Sequence, residues 1–152
     1  EVLVKWDEIK RRTKGQKSQG DSMKAVPIEL PALMRAQKLQ SKAKKAGFDW
    51  EDAGGAFDAL RSELAELEEA KREKDFAAVE DELGDVLFSA VNVARFLGVD
   101  SEEALTKASN KFLRRYLIVE KLAKERNIDM KATPIEELDK LWAEAKKSLE
   151  SN

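Results

Sequence analysis

The sequence contains no cysteine and no histidine. Those absences exclude disulfides, Cys or His zinc sites, Cys–His nucleophiles and Ser-His-Asp triads. They exclude a histidine general base as well, so acid–base or metal chemistry has to come from Asp, Glu, Lys, Tyr or water. Long apolar runs are also missing. Nothing approaches the ~20 residues of a membrane span, and no signal-peptide pattern is visible. No membrane partner is expected, and a cytoplasmic setting is. There are 7 Gly, 3 Pro and 7% aromatic residues. With many Ala, Leu, Glu and Lys, and no alternating strand pattern of useful length, this predicts an all-α helical bundle.

The chain has 152 residues. That suits one domain, or one domain with a helical extension, and suffices to bury a core. It opens on Glu1 rather than Met, so a fragment of a longer protein is expected. Charge is abundant at 38%, with 28 Lys/Arg against 30 Asp/Glu. A net charge of -2 gives no overall polycation to condense on nucleic acid, which is therefore not an expected partner. The distribution is uneven. Residues 1–47 hold 12 basic and 5 acidic side chains, and residues 48–152 hold 16 and 25. A basic N-terminal third thus faces an acidic remainder.

Periodicity and punctuation place the helices. A short one covers Leu3–Arg12 and ends in Thr13–Ala25, a Gly-, Ser-, Gln- and Lys-rich stretch that reads as a mobile loop. The next runs from Pro31 to Ala46, where Pro31 suits the first helical position and Gly47 the stop. Then follow Gly55–Arg72, with Phe57, Leu60, Leu64 and Leu67 inward, and Phe76–Leu97, with Leu83, Val86, Leu87, Ala90, Ala94 and Leu97 inward. Ser101–Arg126 carries Leu105, Phe112, Tyr116 and Val119 on its apolar side. A last helix begins at a capping box, Thr133 with Glu136, and buries Leu138, Leu141, Trp142, Ala145 and Leu149.

Two of these helices carry acids spaced by three: Glu63 with Glu66, and Glu82 with Asp85. Spacing alone means little on a charged helix. Placement says more. At ~100° per residue each pair lies to the same side of its helix's apolar stripe. The short link near Lys71–Asp75 packs the helices antiparallel. The pairs then share one edge of the seam and one height, and four carboxylates converge. Such a cluster has raised pKa values unless a cation is present, and hard oxygen ligands suit Mg²⁺ or Mn²⁺. Solvated acids paired with nearby lysines are the equal alternative from geometry alone.

Ser62-Glu63-Leu64-Ala65-Glu66, followed by Glu80-Asp81-Glu82-Leu83-Gly84-Asp85-Val86-Leu87-Phe88, resembles the EExxE…ExxD signature of the MazG nucleoside triphosphate pyrophosphohydrolases. These belong to the all-α NTP pyrophosphatase superfamily. The resemblance covers nearly the whole chain. Leu30–Lys38 is similar to the segment that opens the C-terminal MazG domain. Gly47-Phe48-Asp49-Trp50, Ala90–Arg95, Lys111–Tyr116 and Leu141–Lys146 are similar to its GFDW, VNLAR, KFxRRF and LWxxxK motifs. Ser62 departs from the pattern, standing where the signature has its first glutamate. An auxiliary role for that acid leaves activity with altered metal demand, and a direct role leaves a weakened enzyme. Ser109 stands where an asparagine often precedes KF, with Asn110 beside it.

The resemblance implies that Glu63, Glu66, Glu82 and Asp85 hold Mg²⁺, with Mn²⁺ a possible substitute, and carry catalysis. Nucleoside triphosphates would be cut at the α-phosphorus to monophosphate and pyrophosphate, without a histidine base. Lys111 and Arg115, four apart on one face, would grip the phosphates. Trp142 and Lys146 are assigned to the nucleotide site by resemblance, although core packing is the commoner fate of a tryptophan at stripe spacing. Asn92 would contact the nucleotide or bond across a helix pair. Packing is favoured for Trp50, and membership of the basic third for Arg35 and Lys38. Residues 1–26 are expected as a short helix and mobile basic loop, and 27–152 as the MazG-type domain. The family implies a homodimer, and Phe88, Phe96 and Val99 lie off the main stripe, where they could cover a second apolar surface. Rival readings are a base-selective pyrophosphatase, a catalytically weakened nucleotide-binding or helical interaction module, and a nucleic-acid binder using Lys107, Lys111, Arg114, Arg115 and Lys121.

Overall fold

A computed structural model describes residues 2–13, 15 and 18–151. Lys14, Gln16 and Lys17 of the expected loop lie outside the described residues, as do Glu1 and Asn152. Among the described residues there are seven helices and no strand. They are α1 (Val2–Thr13), α2 (Gln19–Lys24), α3 (Ala32–Lys45), α4 (Ala53–Glu73), α5 (Phe76–Phe96), α6 (Ser101–Glu125) and α7 (Ile135–Glu150).

Two local expectations are corrected. Residues 19–24 form α2 rather than loop, with the Ser18 hydroxyl accepting from the Asp21 N–H at 3.1 Å. Six residues are too few for a helical period to show in sequence. The second correction is at α7, which has no capping box. Pro134 is its N-cap without a side-chain bond, and the Thr133 hydroxyl instead donates to the Asp129 carbonyl at 2.6 Å. Genuine caps stand at Asp52 and Asp75, whose carboxylates accept from the N–H groups of Gly55 and Ala78 at 3.2 Å.

Four helices end alike. Just past α3, α4, α5 and α6, Gly47, Lys74, Gly98 and Asn127 take φ of 87°, 56°, 70° and 54°. The next N–H then reaches back to a carbonyl five residues earlier: Phe48 to Ala43, Asp75 to Ala70, Val99 to Ala94 and Ile128 to Ala123. This satisfies carbonyls that the helix end would leave bare. Lys74 does so without glycine's freedom from a Cβ.

The chain divides into two compact units, Glu1–Glu102 and Glu103–Asn152. In the first, Lys74 and Asp75 alone separate α4 from α5, which pack along each other. α3 packs on α5 and α2 on α3. Gln37 holds the start of α6 within this unit, its Oε1 accepting from the N–H and hydroxyl of Ser101 at 3.0 and 2.8 Å. In the second unit Val119 and Ala123 of α6 meet Leu141 and Ala145 of α7, with Leu138, Leu122, Ile128 and Met130 around them.

The apolar stripes are not all buried. Leu83 and Leu87 of α5 are 46% and 52% exposed, and Leu64, Leu97, Leu105, Phe112 and Leu149 are exposed too. Small or polar residues occupy the buried positions of α4 and α5 instead: Ala56, Ala70 and Ser89, with Val91 and Val93. Among the described residues, neither unit covers these large side chains on its own.

Candidate metal centre and adjoining cavity

The α4–α5 pairing brings three of the four expected acids together. Carboxylate oxygens of Glu63, Glu66 and Glu82 lie within 4.8 Å of one another. The Asp85 carboxylate stands outside that set. It lies one turn beyond Glu82 on α5, and its negative charge still acts on Glu63. Glu63 Oε2 and Glu82 Oε2 are both buried without a hydrogen-bond partner. Ser62 is exposed on α4 and takes no part in the trio.

Loss of water pushes the Glu63 carboxyl above its ordinary range, followed by Glu66 and the charge of Asp85. Glu82 is pushed up to about 7, first by desolvation and then by its hydrogen bond to, and the charge of, Glu66. Acids that ionise this reluctantly are held together at a cost. A hard divalent cation removes it by neutralising the cluster and taking up the two unmet oxygens. The donor set therefore fits such an ion.

Glu63 also lines a cavity of about 640 Å³. Its walls include Gln40 of α3, Phe48 and Trp50 of the turn that follows, and Phe88, Asn92 and Arg95 of α5. Asp49 and Arg95 close it with a bidentate pair, Nη1–Oδ2 at 2.9 Å and Nη2–Oδ1 at 2.5 Å, both side chains nearly buried. The guanidinium holds the Asp49 carboxyl below its ordinary range. Trp50 leans on Gly55, where an added Cβ would meet the indole at 3.2 Å, so α4 begins with a close approach that glycine permits. Its indole both packs and lines the cavity. Gln40, Asp49 and Arg95 received no role from sequence reasoning. Asp49 and Arg95 stood inside quoted motifs, but nothing in the sequence pairs residues 46 apart.

The remaining expected site residues belong to the second unit, except Asn92. The Arg115 guanidinium sits 5.7 Å from the centroid of the Trp142 ring, and Phe112 lies 5.4 Å from the same ring. Arg115 Nε is buried and unpartnered. Lys111 and Lys146 are exposed on α6 and α7. Trp142 is half-buried against the core of its unit, as stripe spacing favours. Lys107 and Lys121 are drawn to Glu103 and Glu125 on their own helix at 2.7 and 3.9 Å. Those pairings weaken a basic nucleic-acid stripe.

Residues 56–120, which contain all four acids, match the family model of the MazG nucleotide pyrophosphohydrolase domain. Over this segment the chain is similar to the MazG family. It is 40% identical over 149 residues to a nucleoside triphosphate pyrophosphohydrolase of Escherichia coli (strain K12), covering 97% of this chain and 57% of that protein. It is 41% identical over 141 residues to the nucleoside triphosphate pyrophosphohydrolase/pyrophosphatase MazG of Thermotoga maritima, covering 93% and 54%. YabN of Bacillus subtilis (strain 168), an uncharacterized protein, is 42% identical, covering 97% of this chain and 30% of YabN. The chain thus spans little more than half the length of the two named pyrophosphohydrolases. The all-helical architecture agrees with the MazG fold. Within the MazG match lie the acid trio, Asp85, Asn92, Arg95, Lys111 and Arg115; Gln40, Asp49, Trp142 and Lys146 lie outside it.

Proposed function

We propose that the chain hydrolyses nucleoside triphosphates to nucleoside monophosphate and pyrophosphate, using Mg²⁺ held by Glu63, Glu66, Glu82 and Asp85. The observation that carries this reading is the carboxylate trio with two buried, unpartnered oxygens inside a MazG match. The bound ion supplies neutralisation of the triphosphate and acidification of water, which lets a site without histidine work near neutral pH. Glu63, Glu66 and Glu82 position that charge rigidly, because one-turn spacing on each of two packed helices sets their relative heights. Asp85 adds a fourth negative charge one turn away.

Lys111, Arg115 and Lys146 contact phosphate oxygens in this reading. The Trp142 ring lies 5.7 Å from the Arg115 guanidinium carbon, and the Arg115 Nε has no partner within the described residues. Asn92 contacts the nucleotide from α5. The exposed Leu64, Leu83 and Leu87 form the contact with a second copy, giving a homodimer. A cytoplasmic enzyme acting on nucleotide pools fits these features, and no described helix is long and apolar enough to cross a membrane.

The test incubates the protein with Mg²⁺ and each common NTP and dNTP, then separates the products. Monophosphate and pyrophosphate are expected. Diphosphate and phosphate would place the cleavage elsewhere and overturn the assignment. Sedimentation across a concentration series tests the dimer.

A further inference from the structure

The 640 Å³ cavity beside the acid trio holds two amides whose orientation their partners dictate. Gln40 is 5% exposed. Its Nε2 donates to the Phe88 carbonyl at 2.9 Å, and a carbonyl can only accept, so the nitrogen is identified by chemistry. Gln40 Oε1 is then left buried with no partner. Asn92 Oδ1 accepts from Arg95 Nη2 at 2.8 Å and from Nε at 3.3 Å. A guanidinium can only donate, so this oxygen is identified too, and Asn92 Nδ2 keeps its donors unused. Arg95 cannot swing away, because Asp49 grips its other edge.

Phe88 and Asn92 are four residues apart on α5, about 6 Å along its axis. The two amides therefore meet α5 at neighbouring levels, one offering a fixed acceptor and the other a fixed donor. Phe48, 83% exposed, and Trp50 offer aromatic faces at the same cavity. The volume lies in the range of small-ligand pockets. A flat heteroaromatic ring with a hydrogen-bonding edge matches these surfaces. An unmet buried acceptor is costly to leave without a partner, so the cavity favours a ring that brings it a donor.

We propose that this cavity is a nucleobase subsite selecting 4-amino pyrimidines and 6-amino purines, with Gln40 Oε1 accepting from the exocyclic amino group and Asn92 Nδ2 donating to the adjacent ring nitrogen. The inference rests on the pyrophosphohydrolase reading only for the chemistry next door. Cytosine and adenine carry an amino donor beside a ring-nitrogen acceptor. Uracil and hypoxanthine reverse both, presenting a carbonyl oxygen to Gln40 Oε1 and a ring N–H to Asn92 Nδ2. The recessed Gln40 oxygen is reached by an exocyclic group and not by a ring N–H. Glu63 joins the cavity to the acid trio, so a nucleotide with its phosphates at the trio has its base within reach of both amides.

The experiment compares CTP with UTP and ATP with ITP, pairs that differ by amino and oxo groups at this edge. Two readouts are taken on the same protein: kcat/KM with Mg²⁺, and the Kd of the non-hydrolysable α,β-methylene analogues. A preference of about tenfold or more for the amino member of each pair is expected in both. Gln40→Leu removes the acceptor and levels the pairs. Asn92→Asp keeps an acceptor for Arg95 but turns the donor into a second acceptor, and moves preference toward UTP and ITP. Equal handling of the wild-type pairs, or preference for the oxo member, overturns the inference and leaves the hydrolytic reading standing. Amino preference in binding without turnover supports the subsite and sinks the hydrolytic reading. Preference untouched in both variants removes Gln40 and Asn92 from the role. No binding of any analogue together with no turnover overturns subsite and activity alike. The wild-type comparison decides the matter even if a variant fails to fold.

Discussion

The two compact units differ in what they bury and in how their charges are placed. The second closes a core of its own: Leu141 is 3% exposed, and Val119, Ala123 and Ala145 are buried with it. A bidentate ion pair of Arg126 with Glu144, at 2.8 and 3.1 Å, ties α6 to α7. Both units leave large apolar side chains exposed, Leu83 and Leu87 in the first and Leu105, Phe112 and Leu117 in the second, but the first buries alanine, serine and valine between its helices and crowds three acids together without a counter-charge among them. The second unit closes a leucine-centred core, and the first gathers acids whose repulsion a bound cation would offset.

The sharpest way to break this comparison is to disarm the acids. Glu82→Gln or Asp85→Asn is expected to lower turnover by about a hundredfold or more while circular dichroism shows an unchanged helix content. Near-normal rates in either variant would end the metal-site assignment.

Core and face respond differently to the same truncation. Leu141→Ala is expected to destabilise by about 2–5 kcal/mol in urea unfolding, since it opens a cavity in a closed core. Leu87→Ala should cost the isolated chain under about 1 kcal/mol and act instead on association, read as a shift of the sedimentation coefficient with concentration. Equal losses of stability at the two positions would refute the contrast.

The acids should also make stability depend on pH in an unusual direction. Glu82 binds its proton more tightly when folded, with a pKa of about 7 against 4.5 ordinarily. Its contribution is complete below about 4.5 and is lost as pH rises toward about 7. Metal-free protein is therefore expected to melt at lower temperature at pH 7.5 than at pH 5, and Mg²⁺ to close the gap. Asp49 works the other way, but its depressed pKa confines that effect to pH below 3.8. A melting temperature that rises with pH across this window would contradict the account. The smallest effect is at the α4–α5 link. Lys74→Gly relieves a left-handed residue and should stabilise by about 1 kcal/mol in the same unfolding assay.

Much of the secondary structure is legible in sequence, because its signals are local. Gly47 and Gly98 stop α3 and α5 where expected, and α4, α5 and α6 begin and end within two residues of the limits read from period and punctuation. The failures are local competitions that a pattern cannot rank. Thr133 had the spacing of a capping box, but its hydroxyl donates to the Asp129 carbonyl instead. Ser18 capped a helix too short to be periodic. Several residues expected inward, Leu64, Leu83, Leu87, Leu97, Leu105, Phe112, Tyr116 and Leu149, are exposed, because the period says which residues share a face and not whether anything covers it.

The candidate site divides the same way. Residue types, three-residue spacing and the absence of histidine and cysteine are properties of the chain, and by themselves they point to oxygen-ligand metal chemistry on helices. Helical geometry carries that conclusion across one turn, and a two-residue link carries it across a pair of helices. Longer relations depend on packing. That Glu63, Glu66 and Glu82 meet while Asp85 stands apart is decided by how α4 lies on α5. That Gln40 meets Phe88 and Asp49 meets Arg95, 48 and 46 residues apart, is decided by α3 and the turn after it lying against α5. Hydrogen bonds of that span depend on ångström-scale placement of side chains, which local propensity does not encode and only the assembled fold provides.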